Sequence, residues 1–182
     1  MQQVRYFHFS LFFLITQFIP INFSSIYFVI VTGMAQDFVG SNNINLLEPR
    51  GQFGTRMAGG KDAASPRYIF TCLSPIARLL FPEVDDSQLI HLEDDGVIIE
   101  PKYYCPIVPL LLINGVQGIG TGWSSFIPTH NAMDVLDHVR AKLNGDHILP
   151  VINPWVRGFT GKLEVIEDKA GYRSTGIVQV SN

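Results

Sequence analysis

Between Arg5 and Asp37 the chain carries no Asp, Glu, Lys or Arg, and the same stretch holds seven of its thirteen phenylalanines. Three readings of this apolar leader stand. As a secretory signal, Arg5 would supply the charged start and residues 9–19 the apolar region, but no small-residue cleavage site of the usual kind follows. As a membrane anchor it would need about 20 mostly apolar residues, and Gln17, Pro20, Asn22, Ser24 and Ser25 interrupt the middle. Phenylalanine and isoleucine also come from T-rich codons, so translated non-coding sequence joined ahead of Met34 is the third reading, favoured by the abrupt change of composition there. If the chain were secreted, Asn22-Phe23-Ser24 would be a formal glycosylation acceptor.

The remaining residues look different. A chain of 182 residues, 47% of them hydrophobic, holds one full domain and part of another with a real core. The formal net charge of -3 argues against a generic basic nucleic-acid binder. The charge is unevenly spread, however. Arg50, Arg56, Lys61 and Arg67 face only Asp62 in one segment, whereas residues 81–101 hold seven acids and no lysine or arginine. A phosphate backbone would be drawn to the first segment and repelled by the second.

Several chemistries are excluded by spacing. The two cysteines, Cys72 and Cys105, form no CxxC pair, and their apolar neighbours suggest reduced, buried thiols. A nucleotide P-loop ending at Gly60-Lys61 would need glycine at position 55 and Ser or Thr at 62, where Thr55 and Asp62 stand. Gly118, Gly120 and Gly122 fail the dinucleotide pattern because Trp123 occupies its last glycine position. His91, His130, His138 and His147 lie in different segments and read as solvated or core residues. No metal-binding word appears, and Glu93-Asp94-Asp95 reads as a solvated acidic tip.

The local pattern predicts a short helix and then a turn over residues 34–47, with Ser41-Asn42-Asn43 as the cap and turn signal. Four glycines in residues 51–60 demand a loop whose amides can approach a phosphate closely. Apolar spacing over residues 69–81 predicts one or two short helices. Asp95-Gly96 predicts a hairpin, Pro106 and Pro109 a buried extended segment over 103–114. Asn131 should cap a helix with Val135, Leu136, Val139 and Leu143 on one face and Gly145 at its end. Residues 155–180 alternate in the manner of strands.

The chemistry concentrates at Gly59-Gly60-Lys61-Asp62-Ala63-Ala64-Ser65-Pro66-Arg67-Tyr68. A tyrosine hydroxyl with its ordinary pKa of about 10 is a poor nucleophile at neutral pH and needs neighbouring cations to act as one. Lys61 and Arg67 are such cations. This decapeptide, with residues 34–43, Gly51-Gln52-Phe53-Gly54-Thr55-Arg56, Ile113-Asn114-Gly115 and Gly118-Ile119-Gly120-Thr121-Gly122-Trp123, closely resembles eukaryotic DNA topoisomerase II, a type IIA topoisomerase. The resemblance covers Met34 to about Gly161.

It implies an α+β fold: a winged-helix domain bearing the active-site tyrosine over residues 34–123, then the beginning of a tower-like α/β domain over 124–182, with 1–33 as the atypical leader. It implies that Tyr68 attacks a DNA phosphodiester and becomes linked to the 5′ phosphate, that Arg67 stabilises the transition state, and that Ile119 wedges between base pairs and bends the duplex. Lys61, Arg56 and Gln52 are the implied DNA-binding residues, with Thr55 beside them, and the implied partner is double-stranded DNA in the nucleus. The full-length family works as a homodimer with ATP and Mg²⁺, whose binding modules are not expected in this chain. No metal ligand or small-molecule substrate is expected here, and membrane association only if residues 1–33 are a genuine anchor. The leader stands where the family has part of its DNA-docking winged helix, so a fragment without turnover is expected. The alternatives are a non-catalytic DNA-binding or dimer-interfering remnant, and a membrane-anchored or secreted protein that retains the homologous body.

Overall fold

The computed structural model describes residues 23–166 and 171–180, and the expectations for residues 1–22 lie outside them. The chain divides into two compact units, Met1–Asp37 with Asn45–Ile107, and Phe38–Ile44 with Val108–Asn182. Short helices alternate with four two-stranded antiparallel sheets among the described residues, a mixed helix-and-sheet architecture.

The first unit begins with α1 (Phe23–Ala35), which runs through Met34 without interruption. Phe28, Val31 and Ala35 recur at helical spacing, and that face packs on Leu47, Phe53 and Ile69. At 1.5 Å per residue the helix is roughly 20 Å long, short of the roughly 30 Å bilayer core. No helix among the described residues is long and apolar enough to cross a membrane.

Strand β1 (Leu47–Arg50) pairs with β2 (Phe70–Leu73), in register from Leu47 opposite Leu73 to Arg50 opposite Phe70. Part of the helix expected over 69–81 is therefore strand. Phe70, Thr71 and Cys72 suit a pleated surface, and Thr71 Oγ1 donates to the Glu48 carbonyl at 2.8 Å. The helical part is α2 (Pro75–Leu80), which starts on a proline that needs no amide partner in the first turn. Apolar spacing of three and four could not separate a strand of four residues from the helix behind it.

A 3₁₀ helix (Glu83–Gln88) leads to the hairpin β3 (His91–Asp94) and β4 (Val97–Pro101). Its turn is the one expected, with Asp95 and Gly96 both at positive φ, 48° and 79°. Residues 102–109 are irregular, and Tyr103 and Ile107 are exposed while Val108 is buried. The buried extended segment expected over 103–114 is therefore only partly buried, and its end, Leu110–Asn114, is helical rather than extended. Cys105 is exposed and Cys72 half-buried, correcting the expectation of two buried thiols.

In the second unit α3 (Leu110–Asn114) leads into the hairpin β5 (Val116–Gly120) and β6 (Trp123–Ile127). Helix α4 (Ala132–Asn144) is capped as expected: Asn131 Oδ1 accepts from the Met133 amide at 2.9 Å, and Gly145 closes it at φ 82°. Val135 is fully buried, but Leu143 points to solvent, so the core-facing stripe is shorter than its spacing implied. Strands β7 (Lys162–Val165) and β8 (Tyr172–Thr175) form the last pair, as the alternation predicts.

Asn43, read from sequence as part of a turn, is the hub of this unit. Its amide nitrogen lies 2.9, 3.0 and 3.1 Å from the carbonyls of Ile113, His130 and Trp155, and its oxygen accepts from the Arg157 amide at 2.9 Å. A second pair joins the same segments, with Asn114 both accepting from and donating to the Ile44 backbone.

Candidate active site

The site is built on the connection between β1 and β2. Residues 51–64 leave β1 and return to a 3₁₀ turn (Pro66–Tyr68) that hands the chain to β2. Both ends of the loop are thereby fixed in one ladder, which holds Tyr68 two residues ahead of a strand. Ile69, buried next to it, anchors the turn in the core with Phe53 and Leu47. Gly51 faces Ile69 so closely that a Cβ there would lie 2.9 Å from the Ile69 side chain.

The loop is folded on itself. Ala64 N–H donates to the Gln52 carbonyl at 2.9 Å and Gly60 N–H to the Thr55 carbonyl at 2.9 Å. Asp62 is the clasp: its carboxylate accepts from the Thr55 amide at 2.7 Å, from the Thr55 hydroxyl at 2.7 Å and, more distantly, from the Gln52 amide at 3.5 Å. The Thr55 backbone bond, then its hydroxyl bond, hold the Asp62 carboxyl below the usual carboxylate range. Gln36, just past α1, ties the loop to the core by donating to the carbonyls of Phe53 at 2.9 Å and Gly60 at 3.1 Å. The glycines are required by close approach, since a Cβ on Gly54 would lie 2.6 Å from the Gly60 Cα.

The structure brings together Gln52, Arg56, Lys61, Arg67 and Tyr68 on this loop and turn, all exposed. Tyr68 is 69% exposed, and its hydroxyl has no hydrogen-bond partner among the described residues. The Arg67 guanidinium carbon lies 5.6 Å from the centre of the Tyr68 ring, in cation–π range. Arg56, Lys61 and Arg67 form no ion pair among the described residues, whereas Arg50 is held by Glu48 at 3.0 Å. Three cations on this loop and turn are thus available for an incoming anion, and one of them, Arg67, lies beside the exposed phenol. Thr55 is occupied by Asp62, and Gln52 touches the same carboxylate.

Ile119 belongs to the other unit, on β5, and is 88% exposed. Its cross-strand partner is Ser124, and strand alternation puts Phe126 on the same hairpin face and Trp123 on the opposite one. All three side chains are largely exposed. Sequence reasoning missed Phe126, Gln36 and the clasp role of Asp62. The alternating register would have pointed to Phe126; nothing local marks Gln36, which acts across 17 and 24 residues of chain.

Comparison with known proteins settles the lineage. The family model described as the DNA gyrase/topoisomerase IV A-subunit matches residues 14–182, beginning ahead of Met34. DNA topoisomerase 2 of Arabidopsis thaliana is 55% identical over 152 residues, covering 82% of this chain and 10% of that protein. The chain belongs to the DNA topoisomerase II family.

DNA topoisomerase 2-alpha of Mus musculus is likewise 55% identical over 134 residues, 74% of the topoisomerase II-family chain and 9% of its own length. The solved Plasmodium falciparum topoisomerase II DNA-binding, cleavage and re-ligation domain superposes with a TM-score of 0.80 at 46% identity, covering 90% of this chain and 22% of that one. This topoisomerase II-family chain therefore spans about a tenth of the length of these curated relatives.

Proposed function

We propose that the chain is the tyrosine-bearing part of a type II topoisomerase breakage-reunion region, acting on double-stranded DNA. In this reading residues 34–123 are the winged-helix domain and a tower domain begins at residue 124. The observation that carries the reading is the exposed Tyr68 beside Arg67, on the same loop and turn as Lys61 and Arg56, three cations that form no ion pair among the described residues.

Tyr68 Oη attacks a DNA phosphorus, and the bond from phosphorus to the 3′ oxygen breaks. The phenolic proton is lost and the departing oxygen gains one as the 3′-hydroxyl, so protons balance. The 5′-phosphotyrosyl ester keeps the phosphodiester energy, and religation is the same exchange reversed. Charge grows on the non-bridging oxygens in the transition state. Arg67 meets it, with Lys61 and Arg56 holding the flanking backbone and Gln52 at the edge of the clasp. Ile119, exposed on its hairpin, enters a base step and lowers the cost of bending the duplex.

Among the described residues no three His, Cys, Asp or Glu side chains gather into a cation site. Asp95, at the hairpin tip, and its neighbours Glu93 and Asp94 do not converge on one. Mg²⁺, ATP and a homodimer are implied for the full-length family. The place of action is chromosomal DNA in the nucleus.

The test is a chimera in which residues 34–182 replace the matching segment of the Arabidopsis enzyme, assayed for SDS-trapped DNA cleavage. Tyr68→Phe should abolish the trapped complex, and Arg67→Ala should lower its rate by roughly 10²–10³-fold. Undiminished cleavage by the Tyr68→Phe chimera would contradict the proposal. A chimera that binds DNA but never cleaves, with or without Tyr68, would instead identify a non-catalytic DNA-binding remnant.

A further inference from the structure

Away from the tyrosine, the first unit contains a cavity of about 320 Å³ between α2, the 3₁₀ helix Glu83–Gln88 and the β3–β4 hairpin. Its size falls at the lower end of the small-molecule range. Ala77, Phe81, Leu89 and Ile99 give it an apolar wall, and Tyr104, set edge-on to Phe81 at 6.2 Å, closes one side. Burial pushes the Tyr104 hydroxyl above its ordinary pKa.

The charges around this cavity do not cancel. Arg78 is matched by Asp86 at 2.8 Å. His91 is committed through Nδ1 to the Ile99 carbonyl at 2.8 Å. Glu100 also lines the cavity, is only 7% exposed, and makes no hydrogen bond or ion pair among the described residues. Among the described residues no cation is paired with Glu100 at this wall, and a bound monocation would supply its charge partner. A planar amidinium or guanidinium presents two parallel N–H donors to both carboxylate oxygens, and an aromatic or branched body fits the apolar wall.

We propose that this cavity is a binding site for a small organic monocation, an amidinium or guanidinium head on an apolar body, with Glu100 as its counter-ion. The site shares no residue with the Tyr68 loop and stands independently of the DNA reading. The 182-residue chain is titrated with 4-tert-butylbenzamidinium and with its neutral counterpart 4-tert-butylbenzamide, following the methyl resonances of Ala77, Leu89 and Ile99. The amidinium should shift all three and bind at least about tenfold more tightly than the amide, the difference expected for a charge-assisted pair. Glu100→Gln should remove that preference while the amide still binds. Because the two ligands are compared on the unaltered chain, the result does not depend on how the variant folds. Equal affinity for both ligands, or no shift at these methyls up to about 1 mM amidinium, would overturn the proposal.

Discussion

Asp62 shows how one side chain sets the chemistry of its neighbours without joining it. Its carboxylate takes both the amide and the hydroxyl of Thr55, which closes the loop that presents Lys61 and Arg56. These bonds lower the Asp62 pKa in the fold. The clasp is therefore fully made above the ordinary carboxylate value of about 4 and is lost as pH falls through the lower folded value. Amide exchange at Thr55 and Gly60 should accelerate below roughly pH 4 while exchange in β1 and β2 does not. Asp62→Asn should give fast Thr55 exchange at every pH; protection unchanged in that variant would show that the clasp does not hold the loop. From sequence, Asp62 is visible mainly as the residue that spoils a P-loop pattern. Its real partners lie seven and ten positions away, a pairing that no local pattern records.

At the scale of elements, legibility followed how local the determining forces are. The Asp95-Gly96 turn and the Asn131 and Gly145 caps of α4 depend on φ angles and bonds within a few residues, and they were readable. Replacing Asn131 by Ala should cost about 1 kcal/mol of stability, measurable as a fall in denaturation midpoint; an unchanged midpoint would refute a capping role. Strand β2 was not readable, because its identity comes from pairing with β1 across the whole loop. Helix α1 was obscured differently. Its apolar composition suggests a leader, while Phe28 and Val31 spend that composition on the core around Leu47 and Ile69. Asn43 reads as a turn residue from sequence, yet it bonds residues 70 to 114 positions away. Asn43→Ala should destabilise the second unit by about 1–3 kcal/mol, the cost of stranding its buried partners, read by thermal or urea unfolding.

At the scale of the whole molecule, net charge was a poor guide to partners, since a chain at -3 keeps three unpaired cations on one loop. Duplex affinity of the chimeric enzyme should fall linearly with log salt, and Arg56→Ala with Lys61→Ala should reduce that slope by about 0.9 for each phosphate no longer neutralised. A slope unaffected by the double substitution would remove this loop from the DNA interface. The first unit carries available cations and a phenol, and the second carries exposed apolar side chains on a hairpin. The family was legible from short words because those words hold the glycines and charged residues that shape the loop. The clasp and the Asn43 hub were not, because they are made by folding.

The most direct measurement is to trap the covalent complex of the chimera with DNA, digest both polymers, and locate the nucleotide phosphate by mass spectrometry. The adduct should sit on the phenolic oxygen of Tyr68. An adduct mapped to any other residue, Tyr103 or Tyr104 included, would contradict it.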